Sequence, residues 1–370
     1  MQNTEKALLK LIAVGLGMAD LDIAEFPNLL DWFDLYRLSI EQGVNAVAVD
    51  GLQKLLLKYP NNEKLVVKDT KGKINRMQWI AKSVVLEKHF HCCENAIADL
   101  AAFYTQNDIR LMILKGYGLS LDWPVPSHRP IGDLDTYNFG KQKLADELVK
   151  TKLEIDVDDS YEHHTIFNYK GFIVENHYDF FNVYAHKSSR ILDGRLKEIV
   201  DNDVRICKVL HSTIYLPSVQ FNALFLLRHA GQHFAGEHLV LRQVIDWAMF
   251  VDKHHEEIDW EDLEDTAKEM NLYRFLACLN AICIENIGVD KNKFPVMEYN
   301  KELKKRVLSD ILSPEFNDKK PNSLFPILLF KWRRWRANIW KHKMVFNESL
   351  FSMFCTLFYS HIKRIKTVKA

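Results

Sequence analysis

The sequence predicts an α+β protein in which a small mixed-sheet core is flanked by N-terminal and C-terminal helical regions. Apolar residues recur at helical spacing up to about residue 106, with few helix breakers. Short apolar runs separated by turn residues follow, a pattern typical of strands, and helical spacing returns at residue 218. The predicted division is therefore an N-terminal helical region, a core, a C-terminal helical region and a tail, covering 1–106, 107–217, 218–312 and 313–370.

The composition is that of an ordinary globular protein. Of 370 residues, 48% are hydrophobic, and 49 basic residues balance 49 acidic ones, so the overall charge favours neither a nucleic-acid nor an acidic partner. The N-terminus lacks the pattern of a signal peptide, and no stretch approaches the roughly 18 apolar residues of a membrane span. The six cysteines form no CxxC pair, which indicates free thiols in a reducing compartment. We expect a cytoplasmic protein.

The N-terminal region contains three predicted helices. The first places its large apolar residues on one face, namely Leu29, Leu30, Trp32, Phe33 and Tyr36. The second covers VNAVAVDGLQKLLLKY and ends near Pro60 and Asn61. The third is the long amphipathic segment MQWIAKSVVLEKHFHCCENAIADLAAFYTQ. These apolar stripes predict a helical core.

The core region begins with IRLMILK, which is predicted to be a buried strand that ends in a Lys-Gly turn. A Pro-rich loop leads to DLDTYNF, a second strand, and KQKLADELVKTKL is predicted to be a helix. HTIFNYKGFIVENHYDFF is predicted to be a hairpin with its turn at Tyr169-Lys170-Gly171. These strands, all within 109–185, are expected to share one sheet.

Asp133 and Asp135 are the first candidate metal ligands. Residues i and i+2 of a strand project to the same face, so the two carboxylates converge and repel unless a cation neutralises them. Mg²⁺ (or Mn²⁺) prefers such oxygen ligands, and two metals can clamp a phosphoryl displacement. Glu175, in the middle of its strand, is the predicted third carboxylate, with His177 on the same face. Taken alone, an Asp-x-Asp pair is more often a solvated strand edge or a helix N-cap than a metal site.

Lys115, Gly116 and Arg129 are the candidate phosphate ligands. A glycine at a strand-to-helix turn lets the backbone approach a phosphate, and a helix N-terminus favours negative charge. The Lys115 and Arg129 side chains supply positive charge.

The segment LKGYGLSLDWPVPSHRPIGDLDTYNF resembles the signature of the uncharacterised bacterial nucleotidyltransferase family, a branch of the polymerase-beta-like superfamily. The matching residues are Leu114, Lys115, Gly116, Arg129, Gly132, Asp133 and Asp135, followed by Val174, Glu175 and His177, then Leu241, Arg242, Asp246 and Trp247. The resemblance covers about 20–260. It implies a nucleotidyltransferase core that moves a nucleoside monophosphate from an NTP to an acceptor hydroxyl. It also implies two Mg²⁺ held by Asp133, Asp135 and Glu175.

One departure keeps an alternative open. The broader superfamily usually has Gly-Ser or Gly-Gly after the first strand, where this chain has Gly116-Tyr117. The alternative is a non-catalytic interaction protein that retains the fold.

Two further patterns are assigned to packing rather than chemistry. His229 and His233 are four residues apart on one helix face but lack the glutamate of a zinc protease, so they are expected to pack. Arg242 and Asp246, also four apart, are expected to form a structural ion pair, and the alternative is that they line the nucleotide cleft.

The basic and aromatic residues of 331–343 allow three interpretations. This segment could lie on an anionic membrane surface, bind nucleic acid, or pack its tryptophans against the protein while its charges remain solvated.

Overall fold

The computed structural model describes residues 2–28, 30–67, 76–184, 186–236, 238–318 and 324–349. Its strands are β1 (Met112–Ile113), β2 (Leu134–Tyr137), β3 (His164–Tyr169), β4 (Phe172–His177), β5 (Val204–Val209) and β6 (Ser212–Pro217). They form one mixed sheet in the order β3-β4-β2-β1-β6-β5. Helical regions precede and follow the sheet along the chain, so the predicted α+β class is confirmed.

Four helices precede the sheet, namely α1 (Asn3–Gly15), α2 (Trp32–Glu41), α3 (Asn45–Lys58) and α4 (Arg76–Thr105). Three lie between its strands, of which the first two are α5 (Tyr117–Ser120) and α6 (Gln142–Lys152). The first predicted helix is shorter than its apolar stripe. It begins at Trp32 because the Asp31 side chain caps the backbone N–H groups of Phe33 and Asp34, so Leu30 precedes the helix. Leu29 lies outside the described residues.

The later helices are α7 (Lys187–Asn202), α8 (Val219–Gly236), α9 (Leu241–His254), α10 (Trp260–Glu269), α11 (Tyr273–Ile282), α12 (Lys301–Leu312), α13 (Leu324–Ala337) and α14 (Ile339–Val345). A π-helical segment, Cys283–Ile287, extends α11. None of the helices in the described part of the chain combines the length and apolar character needed to cross a membrane.

Two hairpins are joined into one sheet by the parallel pairs β2–β4 and β1–β6 and by the antiparallel pair β1–β2. The turn of the β3–β4 hairpin is at Lys170-Gly171, as predicted, and both residues have positive φ, 51° and 87°. The β5–β6 hairpin was not predicted, since its turn has no glycine and instead places Leu210 at φ 51°. β2 pairs antiparallel with β1 and parallel with β4.

The alternation of side chains along the strands gives the sheet two different faces. One face packs on α4 and α6 through a hydrophobic cluster that includes Ile113, Leu134 and Val174. Residues next to these, such as Asp135 and Glu175, therefore project to the opposite face. That face is turned toward the second hydrophobic cluster, which contains residues of α1, α3, α8 and α9.

The basic and aromatic tail is partly integrated into this second cluster. Lys341 is 1% exposed and lies 2.5 Å from the equally buried Asp310. The Trp340 ring contacts Phe234 at 5.4 Å between centroids, whereas Trp332 is exposed. Packing thus accounts for part of 331–343, and the membrane and nucleic-acid interpretations of this segment stay hypotheses. Residues 350–370 lie outside the described residues.

Candidate functional site

A cleft of about 150 Å³ opens between the β1–β2 side of the sheet and the helices α8 and α9. Five of the six predicted site residues line it, namely Lys115, Gly116, Arg129, Asp133 and Asp135. Glu175 lies beside it, because it is the register partner of Asp135 on the adjacent parallel strand β4. The strand pairing therefore brings together residues that are forty positions apart in the sequence.

Asp135 is the most strongly engaged residue of the site. Its carboxylate is 3% exposed, and its Oδ1 lies 2.7 Å from Lys115 Nζ and 3.1 Å from His177 Nε2. Burial alone would raise the pKa of Asp135, but the charge of Lys115 and the hydrogen bond from His177 outweigh it and hold this pKa well below its usual range. Asp135 is therefore ionised at neutral pH.

Lys115 shares this pairing from the other side. Burial by itself lowers the pKa of Lys115, but the Asp135 carboxylate overcomes this effect and raises it. Lys115 is consequently a protonated ammonium group in contact with the central carboxylate of the site.

Glu175 and His177 complete a compact group with Asp135. The ligand atoms of these three residues all lie within 4.8 Å of one another. His177 Nε2 is 3.6 Å from Glu175 Oε2, while its Nδ1 faces the Asp179 backbone oxygen at 3.1 Å. Burial by itself raises the pKa of Glu175, but hydrogen bonding to His177 outweighs this effect and lowers the pKa. Although burial lowers it, contact with Asp135 and Glu175 raises the pKa of His177 to about 8.

Asp133 stands apart from this compact group. It immediately precedes β2 and is exposed in the cleft, whereas Asp135 is buried. Although Asp133 touches solvent, the protein atoms around it in the cleft partly desolvate its carboxylate, and this desolvation and then repulsion from Asp135 raise its pKa. The two aspartates thus share the cleft but differ in environment, and the imidazole of His177, rather than Asp133, occupies the third position of the tight cluster.

The turn after β1 differs from the expected phosphate-binding turn. Gly116 has φ +52°, a conformation that favours glycine, but α5 after it is only four residues long. A helix therefore follows Gly116, but its single turn carries little aligned dipole to favour a phosphate. Tyr117 stacks on Phe90 and donates its hydroxyl hydrogen bond to Glu94, 3.2 Å away.

Arg129 is held by Asp246 rather than left free in the cleft. Its Nε and Nη2 donate to the two Asp246 carboxylate oxygens at 2.7 and 2.8 Å, and Trp123 Nε1 donates to the same carboxylate at 3.0 Å. The predicted pairing of Asp246 with Arg242 is therefore wrong. A residue of the signature loop takes that carboxylate, with the bidentate geometry typical of arginine.

Arg242 instead lines the cleft together with Asp246. Its Nη1 donates to the Pro130 backbone oxygen at 3.3 Å, and its Nε is buried without a hydrogen-bond partner. Burial and then the nearby Arg129 lower the pKa of Arg242, against the pull of Asp246. Among the described residues, no carboxylate forms an ion pair with Arg242.

His229 and His233 also line the cleft, with ring centroids 4.4 Å apart. The interpretation of these residues as packing histidines missed this exposure to the cleft. Burial first, and then the positive charge of Lys115, place the pKa of His229 well below its usual value, so this imidazole is neutral.

Sequence reasoning did not select His163 and His164, which precede and begin β3. His164 is the register partner of His177. The signal was present as the pair of adjacent histidines at the start of a predicted hairpin strand. Its meaning depends on the register, which places this pair opposite His177.

Comparison with known proteins identifies a family. No curated protein and no solved structure matches the chain significantly. The family model described as "Uncharacterised nucleotidyltransferase" matches residues 28–288, which is most of the chain. With the Lys-Gly turn, the Asp-x-Asp strand and the glutamate strand assembled around one cleft, the chain belongs to this uncharacterised nucleotidyltransferase family.

Proposed function

We propose that the chain transfers a nucleoside monophosphate from an NTP to an acceptor hydroxyl and releases pyrophosphate. The observation that carries this proposal is the pairing of Asp135 with Glu175 on adjacent parallel strands, at the edge of a cleft that Lys115, Arg129 and Arg242 also line. Membership of a nucleotidyltransferase family supports the reaction class.

The carboxylate wall of the cleft, which we define as Asp133, Asp135 and Glu175, fits a divalent metal. Asp135, Glu175 and His177 offer ligand atoms within 4.8 Å of one another, and Asp133 lines the same cleft. Lys115 Nζ, 2.7 Å from Asp135, stands in for part of the positive charge of a metal. We propose that Asp133, Asp135 and Glu175 hold Mg²⁺ or Mn²⁺, which would neutralise the charge that develops on the phosphoryl oxygens.

The basic wall of the cleft, which we define as Lys115, Arg129 and Arg242, fits the triphosphate. Lys115, Gly116 and Arg129 were predicted to bind it, and the geometry adds Arg242. Because Arg129 is already neutralised by Asp246, Arg242 carries the more available charge. Its Nε–H, buried without an acceptor, is a donor that a phosphate oxygen would satisfy.

Glu175 is the proposed base. The acceptor oxygen forms a bond to the α-phosphorus as the bond from that phosphorus to the pyrophosphate oxygen breaks. The hydroxyl proton passes to the Glu175 carboxylate, which a lowered pKa keeps in its ionised form. The pyrophosphate leaves with the electron pair of the broken bond.

The test is calorimetric titration of the protein with Mg²⁺-NTP, accompanied by melting curves with Mg²⁺ or Mn²⁺ alone. We expect saturable NTP binding and a metal-dependent rise in melting temperature, both lost in the Asp133→Asn/Asp135→Asn variant. Asp122→Asn, which changes a carboxylate paired with His254 and Lys253, is the control and should retain both responses. An identical metal response in the wild type and the double variant would remove the metal from this site.

A specific observation favours a second candidate function, a non-catalytic interaction protein with this fold. Lys115 already neutralises Asp135, as a protein cation does when a metal site has been lost. Tyr117 directs its hydroxyl to Glu94, and the Ser120 hydroxyl donates to the Tyr117 backbone oxygen. This candidate predicts no Mg²⁺-NTP binding in the same titration.

A further inference from the structure

Three histidines meet at the edge of the sheet beyond the carboxylate wall. His164 and His177 are register partners on β3 and β4, and His163 precedes His164. The ring centroids of these histidines are 4.4 to 5.5 Å apart, and one ring nitrogen from each lies within 4.8 Å of the others. None of these residues other than His177 enters the proposed transfer reaction.

The nitrogen atoms of this cluster lack the hydrogen bonds that buried imidazoles normally make. His164 is 6% exposed, yet both of its ring nitrogens are buried without a partner, as is Nδ1 of His163. A buried polar atom left unpaired costs about 1–3 kcal/mol. Packing of aromatic rings alone does not account for three such atoms in one place.

A carboxylate lies at the same point. Glu175 Oε1 is 4.0 Å from His164 Nε2, and Glu175 Oε2 is 3.6 Å from His177 Nε2. When His177 Nδ1 carries a proton, it donates a hydrogen bond to the Asp179 backbone oxygen, and a metal ion would replace the proton that Nε2 shares with Asp135. This is the arrangement that orients a metal-binding histidine.

From these contacts we infer that His163, His164 and His177, with Glu175 as a carboxylate ligand, form a binding site for a transition-metal ion that prefers imidazole, such as Zn²⁺. Imidazole suits such ions, whereas Mg²⁺ prefers oxygen ligands. Three nitrogens around a tetrahedral zinc ion are about 3.4 Å apart, given bonds of about 2.1 Å. The rings therefore need to converge by no more than about 1.4 Å from the 4.8 Å separation seen here.

The site goes beyond the proposed transfer reaction, because it does not require NTP or Asp133. It would place a second kind of cation beside the carboxylate wall, with Glu175 and His177 at the border between the two. The two functions can fail separately, since Mg²⁺-NTP binding and binding of a transition metal are measured independently.

The experiment titrates the metal-free full-length protein with Co²⁺, whose visible absorption is strong in four-coordinate nitrogen-rich sites and weak in six-coordinate oxygen sites. We expect one equivalent to give the strong band and Zn²⁺ to displace it. His163→Ala and His164→Ala should each weaken Co²⁺ binding by at least the roughly 10–100-fold that the loss of a hydrogen-bond partner behind a ligand costs.

His211→Ala removes an exposed histidine that faces Asp99 and is the matched control, expected to bind Co²⁺ as the wild type does. Circular dichroism of each metal-free variant verifies that it is folded, and His164→Asn serves if His164→Ala does not fold. Absence of the strong band in the wild type, or its persistence with unchanged affinity in both His163 and His164 variants, would overturn the inference. If the wild type gives the strong Co²⁺ band but does not bind Mg²⁺-NTP, the result would instead count against the proposed function alone.

Discussion

Replacing Lys115 by methionine tests the charge balance of the site most directly. Lys115 Nζ and Asp135 Oδ1 are 2.7 Å apart, and their side chains are only 17% and 3% exposed. At an effective dielectric constant of about 20, their attraction is about 6 kcal/mol before the cost of desolvation. Removing one partner of a buried ion pair leaves the other charge uncompensated, so Lys115→Met should lower the free energy of unfolding by about 3–5 kcal/mol in metal-free buffer.

The metal response of the same variant should move in the opposite direction. A metal bound by Asp135 has to compete with the Lys115 ammonium group, and Lys115→Met removes this competitor. We expect Mn²⁺ to bind at least tenfold more tightly, so that a saturating concentration adds about 1.4 kcal/mol more stability to Lys115→Met than to the wild type. Urea denaturation with and without Mn²⁺ measures both quantities.

Two controls separate this effect from general damage. Lys268→Met removes an exposed lysine that pairs with Asp265 and should leave both the stability and the metal response as in the wild type. Lys115→Met combined with Asp135→Asn removes both charges, so it should recover part of the lost stability and lose the metal response. An equal or smaller Mn²⁺ effect in Lys115→Met would refute the placement of Lys115 in competition with a metal.

Three other perturbations have clear expected outcomes. Glu175→Gln should lower turnover by about 10²–10⁴-fold with little change in NTP affinity, and full activity would exclude it as the base. Lys341→Ala leaves the buried Asp310 carboxylate without its ion-pair partner and should lower the free energy of unfolding, measured by chemical denaturation, by about 3–5 kcal/mol. A decrease below about 1 kcal/mol would contradict this pairing. Although burial lowers it, hydrogen bonds to Asp50 and Glu87 raise the folded-state pKa of His128 above its unfolded value of 6.5. The resulting stability is fully present below about pH 6.5 and is lost as pH rises through the folded pKa, so His128→Gln should flatten stability above pH 6.5.

Local patterns in the sequence were sufficient for much of the fold. The β3–β4 hairpin was predictable because alternating apolar residues flank a turn containing Gly171. Helix α4 was predictable because its apolar residues recur at helical spacing over a long segment. The β5–β6 hairpin was missed because its turn contains Leu210 and His211 rather than glycine or asparagine. The first strand was predicted over 109–115, but only Met112 and Ile113 make ladder pairs along its length.

The site was only partly predictable, because its contacts depend on strand order and on helices distant in sequence. The period-2 rule placed Glu175 and His177 on one face, but their meeting with Asp135 depends on the parallel pairing of β2 with β4. The same rule treated Asp133 and Asp135 as equals, although one precedes the strand and is exposed. Helical spacing suggested an ion pair between Arg242 and Asp246 within α9. In the structure Asp246 instead pairs with Arg129, which lies in the loop before β2.

The position of Lys115 links the two walls of the cleft. It neutralises Asp135, and its ammonium group is therefore not free to contact a phosphate. A divalent metal on the carboxylate wall would take over this neutralisation and release the ammonium group toward the triphosphate. Metal and NTP should therefore bind cooperatively, and thermodynamic reciprocity requires each to strengthen the other by the same factor. Because Arg242 is not engaged by a carboxylate among the described residues, its phosphate contact should not depend on the metal in this way. The metal dependence of NTP affinity should consequently diminish in Lys115→Met and persist in Arg242→Met, even though both substitutions weaken NTP binding itself.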